Sequence, residues 1–160
     1  CRSPGLFSGY LGDAEATRDA MTDDGFFRTG DLGYVRGDGS FVFLSRAGDV
    51  LRLSGFLVNP AEIESFIEQS EAIGGCQVVG VDGQSGTVPV AFVTLEAGHA
   101  FDEAALRAAC EGGLARYKVP RRFVVLPEFP VTVSANGTKV QRAKLRQMAE
   151  ALLRGESPTS

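Results

Sequence analysis

The chain has 160 residues, of which 44% are hydrophobic, and a mean hydropathy of +0.02, so it can form one core or one domain plus part of another. The net charge of -4 argues against a nucleic-acid-binding surface, which requires clustered cations. No apolar run approaches the ~20 residues of a membrane-spanning helix, and the amino terminus lacks a signal-peptide pattern. We therefore expect no transmembrane segment and no nucleic-acid partner.

Cysteine and histidine are too sparse for several kinds of site. The three cysteines are odd in number and form no CxxC pair, which favours a reducing, cytoplasmic location, with Cys76 and Cys110 as small core residues. The single histidine, His99, leaves little room for a catalytic triad or a histidine-rich metal cluster. The P-loop and Rossmann glycine patterns are also lacking, so a nucleotide would have to bind in another way. We predict no metal site.

The amino-terminal part reads as connecting structure followed by a hairpin. A short helix is predicted from Glu15 to Met21. Strand-like runs cover Phe26 to Val35 and Ser40 to Ser45, and the intervening Asp38-Gly39 favours a primed hairpin turn. A two-stranded hairpin is marginal alone, so we expect it to require a sheet that this fragment does not contain.

The clearest helix start in the chain is Asn59, an N-cap residue followed by Pro60 at the first helical position. We predict a helix to about Ser70. Its core face comprises Ile63, Phe66 and Ile67. Its glutamates are expected to be exposed or to stabilise the amino-terminal helix dipole, and to be structural rather than acid–base pairs: Glu62, Glu64, Glu68 and Glu71.

The elements from Val50 onward alternate between strands and helices. Short strands surround Ser54-Gly55, and longer ones follow the capped helix at Cys76 to Val81, Val88 to Leu95 and Arg121 to Leu126, with a helix from Glu103 to Glu111 between the last two. This order predicts an α+β unit in which helices flank a central three-stranded sheet.

The stretch from Pro130 to Arg146 carries the strongest chemical signal. Asn136-Gly137 indicates a turn, and a helical apolar pattern follows at Leu145, Met148, Ala149 and Leu152. Lys139 lies between the two and can extend a compact ammonium toward anionic oxygens. From spacing alone, an ordinary surface-loop lysine is the alternative.

Four segments, in this order, resemble the signature motifs of adenylate-forming enzymes, the family of acyl-CoA synthetases, luciferases and peptide-synthetase adenylation domains. They are Thr29-Gly30-Asp31, Arg46 to Asp49, Glu62-Ile63-Glu64, and Gly137 to Arg146 with Lys139, Arg142, Leu145 and Arg146 in register. Thr138 separates Gly137 from Lys139, which are adjacent in most of the family.

For the first half-reaction, the resemblance implies three roles. The lysine that corresponds to Lys139 contacts the substrate carboxylate and the α-phosphate as acyl-adenylate forms. Asp31 corresponds to the aspartate that accepts hydrogen bonds from the ribose hydroxyls, which an ionised carboxylate can do, and Arg46 is implied to bind the nucleotide. From the sequence alone, Asp31 could equally end a strand or cap a turn.

For the second half-reaction, the resemblance implies a hinge at Gly48 and Asp49, about which a lid rotates between two poses. Gly55 corresponds to a glycine beside the pantetheine tunnel, and Arg52 to a basic position on the CoA side. Glycine suits a hinge because it can visit both signs of φ. Arg52 could instead be a solvated arginine that discourages edge pairing.

The resemblance thus implies a fragment of an acyl-CoA synthetase. Residues 1–47 would end a large amino-terminal nucleotide-binding domain of the same chain, residues 48–155 would form the carboxy-terminal lid, and residues 156–160 a frayed tail. The implied reaction joins a carboxylate, fatty acid or related, to AMP and then to CoA, with ATP, CoA and Mg²⁺ as cofactors and Mg²⁺ held mainly by ATP and the missing domain. The fragment alone should be inactive. The alternatives are an adenylation domain that loads a carrier protein, or a non-catalytic interaction domain.

Overall fold

The computed structural model describes residues 1–83, 86–134 and 137–155, apart from the side chain of Ser134. Within the described residues the chain divides into two units, the first Cys1–Gly48 and the second from Asp49 onward. The predicted frayed tail, residues 156–160, lies outside the described residues, as does Asn136 of the predicted turn.

The first unit contains one short helix and one antiparallel hairpin: α1 (Ala14–Ala20), β1 (Asp31–Val35) and β2 (Phe41–Arg46). Asp13 caps α1, because its carboxylate accepts a hydrogen bond from the Ala16 N–H at 2.8 Å. The predicted strand from Phe26 was wrong over its first part, since β1 begins only at Asp31 and Phe27 forms a single isolated bridge with Met21.

The β1–β2 loop differs from the predicted primed turn. Such a turn needs positive φ at both central residues, but only Gly39 has it, at +82°. Asp38 instead accepts a hydrogen bond from the Ser40 N–H at 2.9 Å, and the Gly39 N–H donates to the Arg36 carbonyl at 2.9 Å. These bonds close a longer loop around the Asp38 side chain.

The second unit is the predicted α+β fold. Its elements are β3 (Leu51–Leu53), β4 (Phe56–Val58), α2 (Pro60–Ile67), β5 (Ile73–Gly83), β6 (Gly86–Leu95), α3 (Glu103–Gly113), a 3₁₀ turn (Arg116–Lys118), β7 (Arg122–Val125), β8 (Val131–Ser134), β9 (Gly137–Val140) and α4 (Arg142–Leu153). The central sheet has the order β5-β6-β7, with β5 antiparallel and β7 parallel to β6. Two hairpins, β3–β4 and β8–β9, complete the unit.

The two faces of the central sheet bury two separate apolar clusters. Val78 belongs to the cluster beneath α2 and α3, and its neighbour Val79 to the cluster beneath α4. This alternation follows from the two-residue period of a strand. Cys76 and Cys110 are fully buried in the first cluster, as predicted.

Helix α2 begins as predicted but differs from the prediction at its end and in the burial of Glu64. Asn59 accepts a hydrogen bond from the Ala61 N–H at 3.1 Å, and Ile63 and Ile67 are buried. The helix ends at Ile67, before the predicted Ser70. The prediction that Glu64 is exposed was wrong, because this residue is only 8% exposed.

The β8–β9 hairpin was not predicted. Its second strand contains Lys139, which was predicted to lie in a connection between a turn and a helix. The alternating pattern from Val131 to Ser134 was the available signal, and it is short because each strand has only four residues. None of the helices in the described ranges is long and apolar enough to cross a membrane.

Candidate active site

Lys139 stands exposed on β9, opposite Thr132 of β8. Within the described part of the chain, its ammonium forms no ion pair and no hydrogen bond. A lysine ammonium is a strongly hydrated point charge on a flexible stem. It is therefore available to anionic oxygens that come from outside this unit.

The lysine hairpin, defined as β8 with β9, is fixed at its base by Gln141. The Gln141 backbone N–H donates to the Pro130 carbonyl at 2.8 Å. Its side-chain amide donates to the Val131 carbonyl at 3.0 Å and to the Thr132 hydroxyl at 2.9 Å. These bonds tie the residue before α4 to the start of β8, so the hairpin is anchored where it joins the helix.

A partly buried ion pair holds the start of α4 against the central sheet. The Arg142 guanidinium Nη2 lies 3.0 Å from Glu64 Oε1 and 3.3 Å from Oε2. Glu64 Oε1 also accepts from the Val78 N–H at 2.8 Å, while Arg142 Nη1 donates to the Val78 carbonyl at 3.3 Å. Because β5 is an edge strand of its sheet, the pair satisfies both outward backbone groups of Val78.

Burial is also the main influence on the pKa of the Glu64 carboxyl. It raises the pKa of Glu64, while the hydrogen bond from Val78 and the charge of Arg142 act in the opposite direction. Sequence reasoning treated Glu64 as a surface residue because its partner is far away along the chain. The only signal was that Glu64 and Arg142 both fall within motifs of the family.

The β3–β4 hairpin, here called the glycine hairpin, ends in a strained two-residue turn. Ser54 and Gly55 have φ of +49° and +87°, which is the signature of a primed turn. In the described ranges, Ser54 is the one residue other than glycine with positive φ. A Cβ on Gly55 would meet no heavy atom within 4 Å, so the turn faces open space.

An aromatic stack and an ion pair support the glycine hairpin from the side. The rings of Phe56 and Tyr117 lie 4.9 Å apart at 18°, so they are stacked. The Lys118 ammonium lies 5.8 Å from the centre of the Tyr117 ring and 2.5 Å from Glu62 Oε1. The Lys118–Glu62 ion pair joins α2 to the 3₁₀ turn. The Tyr117–Phe56 stack joins that turn to the start of β4.

Arg52, the basic residue predicted on the CoA side, is exposed on β3 opposite Leu57. With Arg146 and Glu150 of α4 it lines an open cavity of about 350 Å³. Neither arginine forms an ion pair with another described residue. The carboxylates of Asp82 and Glu150 line the same cavity, so it presents both cationic and anionic groups.

In the first unit, the predicted nucleotide residues lie side by side. Asp31 and Arg46 are opposite each other in the β1–β2 register, and Arg46 Nε lies 3.0 Å from Asp31 Oδ1. Arg46 Nη1 also donates to the Thr29 carbonyl at 3.0 Å. Asp31 Oδ2 has no partner among the residues that the structure describes, so it can accept further hydrogen bonds.

The predicted hinge residues lie where the two units divide, since the first unit ends at Gly48 and the second begins at Asp49. A Cβ on Gly48 would meet nothing within 4 Å, and its φ lies outside the left-handed region. This conformation therefore does not require glycine at position 48.

No metal site is evident in the described ranges, where no group of three or more His, Cys, Asp or Glu side chains could hold an ion. His99 is exposed in a turn. These residues therefore do not fit a magnesium site of their own.

Residues 62–136 match the AMP-binding enzyme C-terminal domain. The chain is 39% identical over 147 residues to a 2-succinylbenzoate–CoA ligase of Listeria monocytogenes serotype 4b, a match that covers 91% of this chain and 30% of that protein. It is 38% identical over 141 residues to a sulfoacetate–CoA ligase of Cupriavidus necator, covering 88% of this chain and 27% of that protein.

Among solved structures, the chain is similar to ATP-bound MatB from Rhodopseudomonas palustris, with a TM-score of 0.85 and 33% identity. That match covers 95% of this chain and 30% of MatB. The chain thus spans less than a third of the length of the proteins that it matches.

Proposed function

Because this chain belongs to the adenylate-forming enzymes, through the AMP-binding enzyme C-terminal domain that it contains, we propose that it is the carboxy-terminal part of an AMP-forming acyl-CoA ligase. The complete enzyme joins a carboxylate to AMP with release of pyrophosphate, and then transfers the acyl group to the CoA thiol. The observation that carries the proposal is the ammonium of Lys139, which is exposed on an anchored hairpin and has no partner among the residues that the structure describes.

In the first half-reaction, Lys139 stabilises negative charge on the acyl carboxylate and on the α-phosphoryl oxygens. The carboxylate oxygen attacks the α-phosphorus in line, and pyrophosphate leaves with the electrons of the broken P–O bond. The nucleophile is already an anion, so no side chain has to act as a base. The contribution of Lys139 is positioning and electrostatic stabilisation. The magnesium ion that ATP carries belongs, in this proposal, to the nucleotide and to the rest of the enzyme.

Asp31 and Arg46 bind the nucleotide in this proposal. Arg46 holds Oδ1 of Asp31 at 3.0 Å, which leaves Oδ2 for a ribose hydroxyl. An ionised carboxylate accepts such bonds strongly and without a proton of its own.

For the second half-reaction, the second unit acts as a lid that turns about Gly48 and Asp49. The division of the chain between these two residues supports this role. The lid then presents the glycine hairpin, where the open space beside Gly55 lets the CoA thiol approach and Arg52 attracts its phosphates.

A large amino-terminal domain of the same chain is the expected partner of the first unit. The β1–β2 hairpin exposes large apolar side chains, including Val35 at 68%, Phe41 at 60% and Phe43 at 55%. Exposed apolar patches mark surfaces that another part of a protein covers.

The substrate is a carboxylic acid, and its class stays open in this proposal. The two curated relatives are named for 2-succinylbenzoate and sulfoacetate, whereas a fatty acid stays a prediction from the sequence resemblance. A cytoplasmic location likewise stays a prediction. The CoA-ligase names of the relatives favour CoA over a carrier protein as the acyl acceptor, and over a non-catalytic interaction domain.

The proposal is tested by Lys139→Ala in the complete enzyme. We expect acid-dependent exchange of pyrophosphate into ATP to fall by about 10²-fold or more, since an electrostatic contact to the reacting oxygens typically contributes that much. Thioester formation from supplied acyl-AMP and CoA should change far less. Lys144→Ala, an exposed lysine on α4, is the matched control and should preserve both activities. Equal loss of both half-reactions in Lys139→Ala would contradict its role.

A further inference from the structure

We infer that helix α2 positions both reactive hairpins of the lid, each through a different glutamate. Glu64 positions the lysine hairpin for adenylation, and Glu62 positions the glycine hairpin for thioester formation. The inference rests on the function proposed above. It assigns no contact with substrate to either glutamate, so both are positioning residues.

The first connection runs from Glu64 to Lys139 through Arg142. Arg142 is the first residue of α4, and its guanidinium contacts both Glu64 oxygens at 3.0 and 3.3 Å. Gln141 precedes it and bonds to β8 through its backbone and its side chain. Lys139 lies on β9, two residues before Gln141. Loss of the Glu64 contact therefore removes the polar link between the start of α4 and the central sheet, so the hairpin that Gln141 ties to this point is held less precisely.

The carboxylate of Glu64 is well suited to this role because it is held on several sides. It accepts the Val78 N–H at 2.8 Å as well as the two contacts from Arg142. The side chain is 10% exposed, so water screens the pair little. A partly buried pair with several hydrogen bonds restricts the position of Arg142, and with it the start of α4 where the hairpin is attached.

The second connection runs from Glu62 to Gly55 through Lys118 and the aromatic stack. The Lys118 side chain is only 17% exposed and its ammonium lies 2.5 Å from Glu62 Oε1. Tyr117, its neighbour, stacks on Phe56, and Phe56 directly follows Gly55. Glu62 thereby fixes the 3₁₀ turn that supports the glycine hairpin.

Helix geometry explains why the two glutamates act on different hairpins. Residues two apart in an α-helix point to different sides, so Glu62 and Glu64 reach different neighbours. The packing of α2 itself depends on Ile63 and Ile67, which are fully buried between the two glutamates and beyond them. An isosteric change at either glutamate therefore leaves the core contacts of the helix in place.

The experiment measures the two half-reactions separately in the complete enzyme, with an acid found active in a panel of carboxylates. In Glu64→Gln, kcat/KM for pyrophosphate exchange should fall by about tenfold or more, while thioester formation from supplied acyl-AMP stays within about twofold of wild type. Glu62→Gln should show the reverse, with the smaller loss because Glu62 is half exposed. Glu71→Gln, an exposed glutamate beyond the end of α2, is the matched control and should change neither rate.

A second pair of variants covers the case in which Glu64→Gln fails to fold. Arg142→Lys keeps the charge opposite Glu64 but loses the planar fork that reaches the Val78 carbonyl. It should reproduce the selective loss of pyrophosphate exchange, and Lys118→Met should reproduce the selective loss of thioester formation.

Parallel losses of both half-reactions in the Glu64 and Glu62 variants, or no loss in either, would overturn the inference while leaving the proposed function intact. A wild-type enzyme without acid-dependent exchange would overturn both, so the two failures are distinguishable.

Discussion

At the scale of single residues, Glu64 is the most informative group, because its surroundings differ from those that its position in the sequence predicts. Glu64 falls in a glutamate-rich helix start and reads as a surface residue, yet it is buried against Val78 and Arg142. Lys139 is the opposite case, because a cation near apolar strand residues is left without a partner in the described part of the chain. A paired buried charge fixes structure, whereas an unpaired exposed one is available for binding.

The raised pKa of Glu64 gives a pH prediction for stability. Because burial raises this pKa above 4.5 in the folded chain, the folded state binds more protons than the unfolded state between the two values. The stability contributed by protonated Glu64 is therefore fully present below 4.5 and is lost as the pH rises through the folded value. The free energy of unfolding of the wild type, minus that of Glu64→Gln, should thus be larger at low pH than at neutral pH.

Urea unfolding followed by circular dichroism, carried out from low to neutral pH, measures the difference in free energy of unfolding between the wild type and Glu64→Gln. Glu71→Gln serves as the control and should give a difference that is flat with pH. A Glu64→Gln difference that is also flat, or that grows with rising pH, would show that Arg142 and Val78 outweigh burial at this carboxyl.

At the scale of elements, local sequence signals predicted most of the helices and strands of the second unit. The cap at Asn59 and the apolar runs of β5 and β6 were readable because each depends on neighbours in sequence. The β8–β9 hairpin was missed because four-residue strands give a weak period. The Glu64–Arg142 pair could not be predicted, since it joins residues 78 positions apart through the tertiary fold.

The turn of the glycine hairpin gives a prediction at this scale. Gly55 has φ of +87°, which a side chain adopts only with strain, so Gly55→Ala should lower the free energy of unfolding by about 1 kcal/mol. Gly48→Ala is the matched control, because position 48 has open space and no positive φ, and it should leave stability unchanged or slightly raised.

Denaturant unfolding of the two alanine variants compares them directly. If Gly48→Ala destabilises the chain as much as Gly55→Ala, strain in the turn does not cause the loss of stability in Gly55→Ala. In the complete enzyme, Gly55→Ala should also slow thioester formation more than pyrophosphate exchange, because the added methyl group would stand where, in the proposed function, the CoA thiol approaches.

At the scale of the whole molecule, the chain consists of two units, for which we propose different roles. The first ends at Gly48, and the second carries two hairpins, one with Lys139, whose ammonium has no partner among the described residues, and one with the open turn at Gly55. The sequence placed the boundary at residue 47 from the resemblance alone. The acyl pocket and the phosphate loop of the family have no counterpart in these residues, so the identity of the acid could not be read from them.

The central claim is that one lid serves two half-reactions by turning about Gly48 and Asp49. The most direct test is Gly48→Pro in the complete enzyme, because proline fixes φ near about -65° and restricts the preceding residue. Gly37→Pro, at a β-turn position that tolerates proline, is the control and should preserve both rates. The account predicts that Gly48→Pro slows one half-reaction at least about tenfold more than the other, as for a lid held in one pose. Unchanged rates for both half-reactions would contradict it.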